Sequence, residues 1–597
     1  MRSCPSFFAP VVSAARHFGR SIYVGQVAVY DAARETHRVC ATNVARRDLQ
    51  ELERLKLQGG AAASARKLAL LARLRTAGEV RRLHECLCFM RAYADDASLR
   101  AAVERALAGF ARRADLRAHR DALYATGIAG TTLWFPFFYP TARWLAARWP
   151  RLLRFDRRDK QAGEHLARTL PLLVTPLEAQ AVRGLPGYAA IDRLRGRGST
   201  DATFLVRRVE AMPGDEATRE AFYDAINPSC ELAPGADTPS RTLACWRRAP
   251  VLYRHAAPVA QRPELRRELA RAPIAVRSLG RRAGEEIVAL ARASMVTRQR
   301  DLDAFAYGDA RAVLLADDGE GLAFAFVGMQ PARRHPIAAI YGGLMLRNGV
   351  PVGYVQADLV GRSAALAFNV FETFRGVEAP FLFARFVAAL HHLFGATMFS
   401  IEPYQLGAGN EEGLASGAWW FYFKLGFRPR HAATRALARA DLERLRADAR
   451  HRSDRATLAR LAERHLFFEA DLARPTPLPP LAAVGRRVAQ KLSRLAGADR
   501  ERAIDLCERA LRQHCGIGTL RGFSAGERRA WRQWAPLAAL LDLGRWPAQQ
   551  RAALVALIRA KGGRDEREYV ARFAAHARLQ RELFGGALSS RARTTRP

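Results

Sequence analysis

The spacing of apolar residues changes twice along this chain. From residue 25 to about 120, "DLQELERLKLQ" and "SARKLALLARLRTAGEVRRLHECLCFMRAYA" place apolar residues three and four apart with Arg and Glu between them, which predicts helices. "QGGAAAS" (58–64) breaks that run, and Asp96 in "DDASLRAAVERAL" predicts an N-cap. From about residue 310 to 430 the period shortens. "RAVLLAD", "GLAFAFVGM", "IYGGLMLRNG", "PVGYVQADLV" and "AALAFNVFE" read as short strands between turn residues, and Arg347-Asn348-Gly349 predicts a tight hairpin. "APFLFARFVAALHHLFG" then predicts a helix, "TMFSIEPY" a strand, "GLASGAWWFYFKLG" a second helix and "FRPR" the start of a last strand. After residue 431 the helical period returns, interrupted by the stiff proline-rich "ARPTPLPPL" (473–481).

These patterns predict an α+β multidomain chain, with a mixed sheet and flanking helices in the centre and mostly α-helical N- and C-terminal regions. The expected divisions are a helical region 1–125, a mixed helical and loop region 126–284, a central module 285–432 and an Arg-rich helical region 433–590. Within the second region, "INPSCELAPGADTPS" (226–240) reads as the clearest loop. The uncharged "ALYATGIAGTTLWFPFFYPTA" (122–142) has nearly the length of a membrane span, but its prolines and glycines make it a weak one. With Trp134, Trp144 and Trp149 it is expected to be a buried connector or an interfacial patch. "MRSCPSFFAPVVSAARHF" is a poor signal peptide, so no export is expected.

Composition changes this picture only in part. A chain of 597 residues, 49% hydrophobic and without polar low-complexity tracts, can bury several cores. Its net charge of +37 suggests an anionic partner, a nucleic acid or a membrane surface reached through Arg-rich helices. Yet only six of the 95 basic residues are lysines, and the arginines alternate with acids in stretches such as "DLERLRADARHRSDRATLARLAERH". That alternation reads first as solvated helix faces. The eight cysteines lie too far apart for a disulfide framework and fit a reducing cytoplasm, with a peripheral membrane contact left open. Cys86 and Cys88 in "HECLC" fall on different helix faces with no second ligand pair, so no metal is expected. A phosphate-binding Gly-x4-Gly-Lys loop, a Gly-x-Ser-x-Gly elbow and His-Glu-x-x-His are all missing.

The most specific motif is "AWWFYFKLGF", Ala418 to Phe427, at the end of the strand–helix–strand–helix order above. Together these resemble the GNAT (N-acetyltransferase-like) superfamily over about residues 285–430, roughly a quarter of the chain. The resemblance implies acyl transfer from acetyl-CoA, another acyl-CoA or a carrier thioester to an amine, by direct attack. It puts Phe368, Asn369, Val370 and Phe371 beside the pantetheine arm, and Arg375, Gly376, Val377 and Ala379 around the pyrophosphate. It gives Tyr422 the role of acid toward the departing thiolate, and Glu372 or Glu402 that of base toward the amine. One stretch departs from the family's pyrophosphate loop, Arg/Gln-x-x-Gly-x-Gly/Ala: here Arg375-Gly376-Val377-Glu378-Ala379-Pro380 stands. Glu378 would set a carboxylate where an anion should sit, and Pro380 lacks an N–H. The alternative this raises is a catalytically inactive GNAT-fold scaffold whose Arg-rich helices bind a protein, nucleic-acid or anionic-membrane partner.

Overall fold

The computed structural model describes residues 76–593 apart from 254–261, 377, 449 and 474–475, together with scattered positions between 48 and 70. Residues 1–47, with Cys4 and Cys40, lie outside the described residues, as does most of the expected break at 58–64. Helix α1, Ala77–Ala92, starts with a capping box. The Thr76 hydroxyl accepts from the Glu79 N–H at 3.3 Å, and Glu79 Oε2 accepts from the Thr76 N–H at 2.7 Å. Asp96 caps the next helix, Ala97–Ala108, as its sequence predicts.

The uncharged stretch at 122–142 is not one helix. It contains strand β1, Leu133–Phe135, and opens the helix Tyr139–Arg148. With β2 (Leu153–Phe155) and β3 (Cys230–Leu232), β1 forms a three-stranded antiparallel sheet in the order β1-β3-β2. The central strand therefore lies inside the expected 226–240 loop, which corrects that expectation. Cys230 and Leu232 point into the core while Glu231 points out, an alternation too short to read between Pro228 and Pro234. Among the described residues, no helix is long and apolar enough to cross a membrane.

The second sheet has nine strands, adding β4 (Ala275–Ser278), β5 (Gly308–Gly319), β6 (Leu322–Met329), β7 (Ala339–Arg347), β8 (Val350–Val360), β9 (Ser363–Val370), β10 (Met398–Ile401), β11 (Arg428–Pro429) and β12 (Leu466–Glu469). Its order is β11-β12-β10-β9-β8-β7-β6-β5-β4, and every pairing is antiparallel except β9 with β10. The sheet reaches past the expected 285–432 at both ends, because β4 and β12 complete it from flanking sequence. Helix α2, Arg281–Val296, connects β4 to β5; α3, Ala379–Phe394, is the crossover between the parallel strands; α4, Ala418–Lys424, precedes β11. The β7–β8 turn is the tight hairpin its sequence predicts. Asn348 and Gly349 take φ of 49° and 77°, and Arg347 pairs with Val350.

Two adjacent glycines in β7 record how closely the sheet is sandwiched. A Cβ at Gly342 would lie 2.5 Å from the Phe305 ring on one face, and at Gly343 2.2 Å from Phe386 of α3 on the other. Apolar on nearly all sides, α3 is buried between the sheet and the helix Leu265–Leu269, with the C-terminal helix Arg567–Ala575 also against it. Its one internal arginine, Arg385, is satisfied by the Asp318 carboxylate at 2.6 and 2.8 Å. The C-terminal helices dock through a buried polar joint. Arg334 donates to the carbonyls of Lys561 and Gly563, Lys561 pairs with Glu566 and donates to Ala338 O, and Tyr569 donates to Ile337 O. Several arginines thus serve as internal glue, which removes part of the charge from the solvated surface.

Candidate active site

The site grows out of strand alternation. On β8, Val355, Ala357 and Leu359 are fully buried, while Tyr354, Gln356 and Asp358 share the other face. On β9, Ala365, Ala367 and Asn369 lie on that second face, since register sets Asp358 opposite Ala365, Gln356 opposite Ala367 and Tyr354 opposite Asn369. Across the parallel pair, Ala365 faces Ser400, and the still-extended Glu402 (φ −76°, ψ 155°) continues Ser400's side. Ala365 and Ala367 therefore share one face with Gln356 and Asp358 of β8 and with Ser400 and Glu402, a small-residue strip between polar side chains that forms the trough side of the sheet.

The trough's carboxylates are perturbed. Burial, and after it the charge of Glu402, push Asp358 up to about 7, against a hydrogen bond from Gln356 Nε2 at 3.1 Å that lowers it. Burial also raises Glu402. Burial and the Glu402 charge thus favour the protonated form of Asp358 near neutrality, a carboxyl that can take or give a proton at physiological pH. At the far end of β9 an ion triad stands. Glu412 accepts from Arg300 Nη2 at 2.6 Å and from Arg375 Nη2 at 2.7 Å. Burial pushes Glu412 up, but the two guanidinium groups outweigh it and hold the carboxyl at about 2. Arg375 also donates to Val370 O at 3.0 Å, which ties the triad to the strand end.

The β9–β10 ladder stops at Leu366 opposite Ile401, whereas β9 runs on against β8 to Val370. The parallel pair thus comes apart beside the segment expected to face a pantetheine arm, because β10 ends at Ile401 and its chain turns into the helix Pro403–Leu406 while β9 continues. Phe368 turns to the α3 side, stacking on Phe421 with centroids 5.9 Å apart and meeting Phe383 edge-on. Tyr422 is in the same aromatic layer, against Phe383 and Phe427, and burial raises its phenol well above its ordinary value. Tyr422 and the Asp358–Glu402 pair therefore lie on opposite sides of the sheet, with the parting strands between. Asn369 stays half-buried on the trough side; Val370 and Phe371 are buried, and the Arg298 guanidinium lies 3.7 Å from the Phe371 ring centroid.

The structure does not bring Glu372 to this place. Its side chain is 66% exposed and pairs with Arg81 of α1 at 3.1 Å. Gly376 takes φ 118° with open space where a side chain would be, Ala379 opens α3, and Val377 lies outside the described residues. Glu378 departs from its expectation. Its carboxylate turns inward and is buried, accepting from Tyr93 Oη at 2.7 Å and Arg347 Nη2 at 2.8 Å. A neutralised, inward carboxylate does not oppose an anion at the helix terminus.

Asp358, Gln356, Arg300 and Glu412 are the residues sequence reasoning missed. The available signal was the polar pair two apart within the otherwise apolar "PVGYVQADLV", which period-2 alternation puts on one face. Among the described residues no group of three or more His, Cys, Asp or Glu is placed to hold a metal ion. No protein-family model, curated protein or solved structure matches the chain.

Proposed function

We propose that the parting β9–β10 strands and the trough beside them form the site of a GNAT-like N-acyltransferase that moves an acyl group from acyl-CoA to an amine. The observation that carries this reading is the parallel pair itself: its ladder ends at Leu366–Ile401, its crossover helix begins at Ala379, and a carboxylate pair lines one side. In this reading the pantetheine amides pair with the β9 edge beyond Leu366, where β10 no longer competes for it. The pyrophosphate sits at Gly376 and the first N–H groups of α3, aided by the helix dipole. The amine enters on the trough side and attacks the thioester carbonyl. A C–N bond forms, the amine's proton passes to Asp358 with Glu402 sharing the charge, and the C–S bond breaks. Tyr422, kept protonated by its burial, is the donor to the departing thiolate.

Titrating acetyl-CoA and longer acyl-CoAs into the full-length protein by calorimetry tests the reading, with Asp358→Asn alongside. Saturable binding by both proteins, with transfer to a panel of amines lost only in the variant, is the expected result. A folded wild-type protein that binds no acyl-CoA overturns it. The inactive scaffold then stands, and a steep salt dependence of nucleic-acid or liposome binding would support it.

A further inference from the structure

One face of α1 meets the loop between β9 and α3 at Glu372, Thr373, Phe374 and Glu378. At successive steps of four, Arg81 pairs with Glu372 at 3.1 Å, Glu85 accepts from Thr373 Oγ1, and Phe89 stacks on Phe374 with centroids 6.3 Å apart. Tyr93, the helix's C-terminal cap, completes the row by donating to Glu378 at 2.7 Å, and its ring also meets Phe374. Residues four apart stack along one helix face, so this is a continuous stripe and not four separate contacts. Phe89 and Tyr93 are buried, Glu85 is half-buried, and the row is anchored from behind: Glu85 also accepts from Arg241 at 2.6 Å, and Glu378 from Arg347 at 2.8 Å.

We infer that α1 is a splint for this loop, and that through it the N-terminal region sets the affinity for the acyl donor's phosphates. The inference rests on the acyltransferase reading, which puts those phosphates at Gly376 and the start of α3. The physical reason is preorganisation. A loop carrying a glycine with nothing packed on its side-chain position loses conformational freedom when it wraps a ligand, and a loop already held loses less. Glu85, Phe89 and Tyr93 are positioning residues here, with no role in the bond changes. The stripe also explains why Glu378 stands in the loop: turned inward, it ties the start of α3 to α1.

Hydrogen–deuterium exchange across residues 372–382 of the full-length protein, with acyl-CoA titration and kinetics, tests this in wild type and Tyr93→Phe. The variant keeps the ring stack and removes only the hydroxyl. Exchange in the segment should accelerate about tenfold, the loss expected for one hydrogen bond to a charged group. The donor's Kd and KM should rise by a similar factor while kcat at saturating donor stays unchanged. Arg81→Ala, at the exposed end of the stripe, should change exchange far less. Unchanged exchange in Tyr93→Phe overturns the splint. Faster exchange with donor affinity intact overturns its link to the donor. Faster exchange in a protein whose wild type binds no acyl-CoA also refutes that link, and locates the failure in the acyltransferase reading.

Discussion

Acidification should loosen the joint between the C-terminal helices and the sheet through one residue, His335. It is buried, and its Nδ1 accepts from the N–H groups of Ile337 at 3.0 Å and Ala338 at 2.9 Å. Only an unprotonated Nδ1 can accept, so protonation there would break both bonds. Burial, and after it the charge of Lys561, depress its pKa from 6.5 to about 3. Arg334 and Glu566 of the joint are paired at 3.6 Å, and Asp565 beside them is paired with Arg567 at 3.1 Å. The sign follows from the direction of the shift. Below 6.5 the unfolded chain takes up a proton that the native ring refuses until about 3, so stability present above 6.5 is lost as pH falls. Between about pH 7.5 and about pH 5.5 the unfolded state gains roughly a factor of ten, or about 1.4 kcal/mol. Urea denaturation followed through the fluorescence of the buried Trp531, Trp534 and Trp546 reads this in wild type and His335→Asn. An asparagine Oδ1 can accept the same two N–H groups but cannot titrate. The stability difference between the two proteins should therefore shift by about 1.4 kcal/mol toward the variant over that range, other titrations cancelling. Parallel pH profiles would refute the reasoning.

Other outcomes follow from single contacts. Asp358→Asn should lower acyl transfer by about 10²–10⁴-fold, and wild-type kcat/KM should rise with pH through about 7 as Asp358 loses its proton; a flat profile would remove Asp358 as base. Glu378→Ala leaves Arg347 buried without its carboxylate and should cost about 3–5 kcal/mol in denaturant unfolding, against well under 1 kcal/mol for a surface pair. Gly343→Ala puts a methyl 2.2 Å from Phe386 and should cost about 1–3 kcal/mol, with Phe386→Leu restoring part of it in the double variant.

Much of the central fold was legible because its signals are local. The hairpin at Asn348-Gly349 needs two positive φ angles, and few residue pairs accept them so readily. The strand runs and the helix Ala379–Phe394 have periods set by their own burial, whereas the single helix expected over "GLASGAWWFYFKLG" is two short ones, Glu411–Ala415 and Ala418–Lys424, broken at Gly417 with φ 62°. Strand β3 was not legible, because three residues give no period, and β4 and β12 were missed because they join the sheet from far away in sequence. The site divides in the same way. Glu402 and Tyr422 could be named from sequence and fall beside the parting strands, on opposite sides of the sheet. Glu372, one residue past strand end and equally carboxylate-bearing, turns to the surface and pairs with Arg81.

By itself the sequence determined the longer helical and extended segments, since each residue's conformational preference and the apolar spacing act within a few positions. It also placed a strand–helix–strand–helix order between helical flanks. Only the tertiary structure decided which carboxylates share a trough, that Glu378 is neutralised from within, and that α1 lies along the β9–α3 loop. Those outcomes depend on register and on contacts between residues hundreds of positions apart, such as Tyr93 and Glu378, and a charge's environment is not written in its neighbours along the chain.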